Sequence, residues 1–186
     1  MNDLKPGIFI VPVIALVLVV LLYFSLLKKT PNRLVFRRFT FIVILFSFLL
    51  NFFWEFAQLP LYKDYAYDIQ HIAFCALASV ADVLMVLLLY FGLALLYKNP
   101  FWVKALRFQR VFILMVVGGI GAIAAETLHT SAANWIYAEA MPIIPYLNVG
   151  LSPVLQFFLL PVLIYYFSFY FLKKTSGKNN AHFINT

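Results

Sequence analysis

A single cysteine, Cys75, stands in the whole chain, so no disulfide can form within it, and no paired Cys/His spacing of the zinc-finger kind occurs. Charge is scarce as well: Asp, Glu, Lys and Arg make up 11% of the residues, against roughly 25% in an average soluble domain. No internal repeat of 20–50 residues is visible, which argues against a transporter built from repeated halves. Acids are missing altogether from three segments that are rich in lysine and arginine. The net charge of +7 does not indicate nucleic acid, because the cations sit in short stretches between apolar runs and form no patch interleaved with stacking aromatics.

What is abundant is apolar surface, 65% of the residues by type, more than a soluble core absorbs. Five stretches reach the ~20 residues that a helix needs to cross a hydrocarbon layer. They run from Ile8 to Leu27, Phe39 to Leu59, Ile69 to Tyr97, Val111 to Thr130 and Val149 to Leu172. Lipid offers no partner to a bare backbone amide, so the expected fold is all-α, a polytopic bundle of five transmembrane helices forming one domain over residues 1–172. The first run is too long for a signal peptide, and Leu26-Leu27-Lys28-Lys29 offers no small-residue cleavage site, so it is expected to stay as an anchor. Residues 173–186 read as a polar tail.

Orientation follows from the cations. Lys28, Lys29, Arg33, Arg37 and Arg38 separate the first two spans; Lys98, Lys104, Arg107 and Arg110 separate the third and fourth; Lys173, Lys174 and Lys178 follow the fifth. Only Lys5 and Lys63 lie on the other side, so the positive-inside rule predicts an outside N-terminus and a cytoplasmic C-terminus, in a cell membrane, plasma or bacterial inner. The acids Asp3, Glu55, Asp64, Asp68, Asp82, Glu126 and Glu139 all fall in the outer connections or within spans.

An ionisable group at mid-bilayer costs about 2.5–3.5 kcal/mol, so each one in a span calls for a partner or a task. Asn51, Glu55 and Gln58 stack along one stripe of the second span. Asp68, His71, Cys75, Ser79 and Asp82 share about 80° of arc on the third, with Asp82 about 16 Å deeper than His71. Glu126 and His129 stand one turn apart on the fourth, above Gly118, Gly119, Gly121, Ala122, Ala124 and Ala125, which read as packing positions. Gln156 lies on the fifth between Pro153 and Pro161. Every stripe is polar toward the outside and apolar toward the cytoplasm, which predicts a pocket open to the outside or to the outer leaflet and closed below. The first span carries no ionisable group and is expected at the periphery. The connections 59–67 and 131–147 are aromatic and read as an interfacial lid, with Trp135 and Tyr137 as ligand contacts or as an aromatic belt.

Two functions fit these residues. In the first, an integral membrane enzyme performs acid/base chemistry on a lipid or isoprenoid: Asp82 or Glu126 donates a proton, His71 or His129 accepts one, Glu55 takes part, and Asn51, Gln58 and Gln156 orient the carboxyls. In the second, the same groups hold a proton, metal ion or small ligand without chemistry, within a transport protein or a larger membrane complex. Structural roles compete throughout: Asp82 as a buried hydrogen-bonded acid, Cys75 as an inert thiol. No cofactor is expected, although His71 and His129 are metal- or haem-ligand types and Glu126-Thr127-Leu128-His129 has the Glu-x-x-His spacing of di-iron bundles. The expected partners are membrane lipid and a hydrophobic small molecule.

A span ending in Glu126, then Trp135 and Tyr137, then a proline-marked entry into an apolar span, resembles the layout of the small membrane-embedded lycopene cyclases of carotenoid biosynthesis. Those enzymes carry adjacent acids after the proline, where this chain reads Gly150-Leu151-Ser152-Pro153-Val154, so Glu126 is the one acid the resemblance carries over. The chain is also similar in size to sterol-isomerase-like proteins, without a shared motif.

Overall fold

The structure, a computed structural model, describes residues 6–175; Asp3, Lys5, Lys178 and most of the polar tail lie outside the described residues. A 3-10 turn over Pro6–Phe9 leads into α1 (Ile10–Lys29), followed by α2 (Arg33–Gln58), α3 (Ile69–Leu96), α4 (Phe108–Ser131), the two-residue strands β1 (Ile143–Ile144) and β2 (Val149–Gly150), and α5 (Leu151–Thr175). All five helices are long and apolar enough to cross a membrane.

Helix ends depart from the apolar runs where local chemistry sets them. α2 starts six residues before the apolar run because the Asn32 side chain accepts the Val35 amide hydrogen at 3.1 Å, and an N-cap of this kind supplies the partner that a first-turn amide lacks. The helix therefore includes Arg33, Arg37 and Arg38. α3 starts at the expected residue, with Asp68 as its cap: one oxygen accepts the His71 amide at 2.9 Å and meets His71 Nδ1 at 2.8 Å. That amide bond, with the imidazole beside it, holds the exposed Asp68 carboxyl below its usual range. α5 starts two residues later than its apolar run, because Val149 and Gly150 pair with Ile144 and Ile143 in an antiparallel hairpin.

The helices pack as a row, α4 against α5, α5 against α2, α2 against α3 and α3 against α1, whereas α3 and α4 barely touch. The half of the bundle that carries the cations is filled. Phe36, Phe39, Tyr90, Phe91, Trp102, Ile164 and Tyr165 are fully buried there, with Tyr90 5.3 Å from Phe39 and 5.8 Å from Tyr165 between ring centres. The α3–α4 connection closes this end. Trp102 enters the core and donates its indole N–H to the Tyr90 carbonyl at 3.1 Å, while Arg110 donates to the Trp102 carbonyl at 2.7 Å.

Where α4 meets α5, two sequence features explain one contact. Pro161 has no amide hydrogen to give the Phe157 carbonyl four residues earlier, and Gly118 of α4 lies against that carbonyl, so a Cβ on Gly118 would overlap the Phe157 oxygen. Gly119 and the Phe158 ring meet beside it.

Candidate functional site

At the end opposite the cations, the gap between α3 and α4 is a cavity of about 490 Å³, within the range of small-molecule sites. α3 and α4 form its walls, and α2 and α5 its back. Leu59, Tyr62, Asn134, Trp135 and Ile136 from the two connections roof it. Small residues leave the space: Ala78 and Ala81 on one wall, Gly121, Ala122 and Ala125 on the other. A Cβ on Gly121 would meet nothing within 4 Å, so this member of the glycine run is a cavity wall, whereas Gly118 and Gly119 are packing positions. α1 stands at the edge of the row, as expected of a peripheral span, yet Phe9, Val11, Pro12 and Ala15 complete the cavity.

Three helices bring a polar network to the back of this space. The Gln156 amide nitrogen on α5 lies 3.0 Å from Asp82 Oδ2 on α3, and 3.0 Å from Asn51 Oδ1 and 3.1 Å from Glu55 Oε1 on α2. A primary amide has two hydrogens, so three acceptors compete for two donors. Gln58 Nε2 donates to the same Glu55 oxygen at 2.9 Å and reaches Gln156 Oε1 at 3.3 Å. Gln58 Oε1 accepts the Ser152 hydroxyl at 2.8 Å, and Asn51 Nδ2 donates to the Ser47 carbonyl at 2.8 Å. Asn51 and Gln156 are each 1% exposed, which makes them the fixed part of the network; Gln156 lines the cavity together with Glu55 and Asp82, whereas Asn51 stands behind it. Asn51 acts on the cavity through Gln156.

Glu126 occupies the α4 wall and is 7% exposed. Its Oε2 accepts the Trp135 indole at 3.2 Å and the Tyr137 hydroxyl, so the connection after α4 folds back over its own helix. Tyr137 therefore reaches the cavity through Glu126, while Trp135 lines it directly. Burial first, and then the bond to Glu126, pushes the Tyr137 hydroxyl up, which keeps it a donor. His129 lies 4.3 Å from Trp135 between ring centres in a near-parallel stack, and its Nδ1 is 2.9 Å from Asn134 Nδ2. With the amide as donor, the neutral imidazole carries its hydrogen on Nε2. His71 lines the cavity and is tied to Asp68. Cys75 is buried, and Ser79 donates to its carbonyl at 2.7 Å.

The two connections pair with each other over the mouth. Tyr62 and Tyr137 form an antiparallel bridge, Lys63 N–H donates to the Ile136 carbonyl at 2.9 Å, and Ala138 N–H to the Leu61 carbonyl at 2.9 Å. Gly150 fits under this roof: a Cβ there would stand 3.0 Å from Met141 Sδ and 3.1 Å from the Tyr137 ring. Tyr62, a cavity residue that sequence reasoning missed, has its hydroxyl pushed up by burial and by the nearby Glu126 and Glu55 carboxyls. Asn134 and Ser152 were missed too. All three lie in connections or first turns, where a polar residue raises no alarm.

Among the described residues, no three His, Cys, Asp or Glu side chains are grouped as a metal-ligating set. No family model, curated protein or solved structure matches the chain.

Proposed function

We propose that this is an integral membrane enzyme performing acid/base chemistry on a lipid or isoprenoid held in the α3–α4 cleft, with the N-terminus outside and the cation-rich end in the cytoplasm. The observation that carries the reading is the convergence of Glu55, Asp82 and Glu126, from three helices, on one largely apolar cavity. A water-poor site with several carboxyls and a network of amides can move protons between oxygen and carbon, because each proton lost by one group has an acceptor nearby.

Each side chain then has a task. Glu55 and Asp82 exchange protons with the ligand, and Gln156 holds both in register, its shared N–H groups able to follow whichever oxygen carries more charge. Glu126 spends Oε2 on Trp135 and Tyr137, which leaves Oε1 for the ligand. His129, with Nδ1 engaged by Asn134, offers an N–H rather than a lone pair, so among the imidazoles a base role falls to His71. The weak contact between α3 and α4 supports entry sideways from the bilayer.

The test is conversion of a membrane lipid extract by purified protein in lipid nanodiscs, read by mass spectrometry. Asp82→Asn, Glu55→Gln and Glu126→Gln are each expected to lower product formation about 10²–10⁴-fold while apolar molecules still co-purify. If the unmodified protein converts nothing and the substitutions change only what co-purifies, the site binds without catalysing and the enzyme reading is wrong.

A further inference from the structure

Resting on the cleft as the ligand site, we infer that its ligand is an uncharged, elongated apolar molecule, lying lengthwise so that Glu55 and Asp82 face its hydrocarbon middle and not its polar end. The first argument is position. Cavity-lining residues on α3 run from His71 to Leu89, about 27 Å along the helix axis at 1.5 Å per residue. Asp82 is about 16 Å from one end of that run and about 10 Å from the other. Beyond it the lining is Leu84, Met85, Leu89, Val117 and Phe157, which offer a polar group no side-chain partner. A polar end therefore belongs at the mouth, among Tyr62, His71, His129, Asn134 and Trp135.

The second argument is charge. Apart from the hydroxyls of Tyr62 and Tyr65 and the thiol of Cys75, the ionisable lining consists of Glu55, Asp82, Glu126 and Asp64, the two imidazoles, and Lys63, which is exposed at the rim. No arginine is among these lining residues. A phosphate or carboxylate taken out of water needs charge-assisted donors, of which bidentate guanidinium is the commonest. Helix N-termini could substitute, but Asp68 caps α3, the first amide of α5, Leu151 N–H, donates to the Pro142 carbonyl at 2.7 Å, and α1, uncapped by a side chain, continues from a 3-10 turn and carries Pro12, without an amide hydrogen, in its first turn. At the mouth an anionic end would meet the Asp64 and Glu126 carboxyls, with the exposed Lys63 as the one lysine in the lining.

Four probes with one C25 isoprenoid chain, about as long when extended as the lining run on α3, decide the matter in phosphatidylcholine nanodiscs: the alcohol, the methyl ether, the free acid and the diphosphate. The alcohol and ether are expected to bind, and both anions at least tenfold more weakly. A diazirine at mid-chain should label residues 79–85, and a diazirine beside the hydroxyl should label residues 129–136. Equal or tighter binding of the diphosphate, or labelling of 79–85 from the hydroxyl end, overturns the inference. Gly121→Leu and Ala125→Leu, two independent plugs checked for retained helicity, separate it from the reading beneath. Binding that both plugs abolish but that favours anions sinks this inference alone. Binding that neither plug affects, or no binding of any probe, sinks the cleft as the ligand site together with it.

Discussion

The two ends of this bundle use the same five helices in opposite ways. At the cation-rich end large rings meet between α2, α3, α5 and the α3–α4 connection: Trp102, Tyr90, Tyr165, Phe36 and Phe39 are fully buried and interlock. At the other end the facing positions of α3 and α4 are alanine and glycine, the helices do not close, and the polar groups collect around the space that remains. Rigidity at one end permits a cavity at the other. A hollow costs the dispersion contacts its walls would otherwise make, and a network such as Gln156 with Asn51, Asp82 and Glu55 is useful only if its backbone supports are held still.

The comparison can be broken at the filled end first. Trp102→Ala is expected to destabilise the protein by about 3–5 kcal/mol, because it removes a fully buried ring and the N–H partner of the Tyr90 carbonyl. Unfolding measured by steric trapping in bicelles checks this; a cost under about 1 kcal/mol would place the stabilising core elsewhere. The two faces of the glycine run sharpen the contrast. Gly118→Ala drives a methyl group into the Phe157 carbonyl and should cost about 1–3 kcal/mol, whereas Gly121→Ala projects into open space and should be neutral or slightly stabilising. Equal effects in the same assay would mean that α4 does not divide into a packed and a cavity face.

At the hollow end, Gln156→Leu deprives Asp82, Glu55 and Asn51 of their shared donor, at about 1–3 kcal/mol for each buried acceptor left unpaired. The loss should shrink when Asp82→Asn is added, since an amide can donate back into the gap, so a double-mutant cycle reads the coupling. Strict additivity would show that the network is not shared.

The smallest effect concerns the Asp68 cap. Its carboxyl titrates below the usual value in the folded chain, so its contribution is present above about pH 3.8, the ordinary aspartate value, and is lost as pH falls through the lower folded value. Hydrogen exchange at the His71 amide should accelerate, beyond its intrinsic pH dependence, below that point in the unmodified protein and not in Asp68→Ala. An unchanged profile would mean that the cap holds nothing.

Much of the candidate site was legible because a membrane makes polar residues conspicuous. Asn51, Glu55, Asp82, Glu126 and Gln156 stand out in runs of leucine and phenylalanine, and the helical period alone placed Asn51, Glu55 and Gln58 on one stripe. Tyr62, Asn134 and Ser152 were not legible, since tyrosine at a span end, asparagine in a loop and serine in a first turn are ordinary there. Glycine was legible only as packing. That Gly118 abuts a carbonyl while Gly121 lines a void depends on the rotation of α4 about its axis, and its weak amphipathic pattern does not specify that rotation.

Sequence alone determined the five helices, their lengths to within a turn or so, and the segregation of cations to one end and acids to the other, because burial in an apolar medium and helical periodicity are properties of each segment by itself. Which helices become neighbours was decided only in three dimensions. The separation of α3 from α4, the pairing of the two connections over the mouth and the meeting of Asp82, Glu55 and Asn51 at a single amide all depend on side chains fitting across interfaces between segments far apart in the chain, and no one-dimensional pattern encodes that fit.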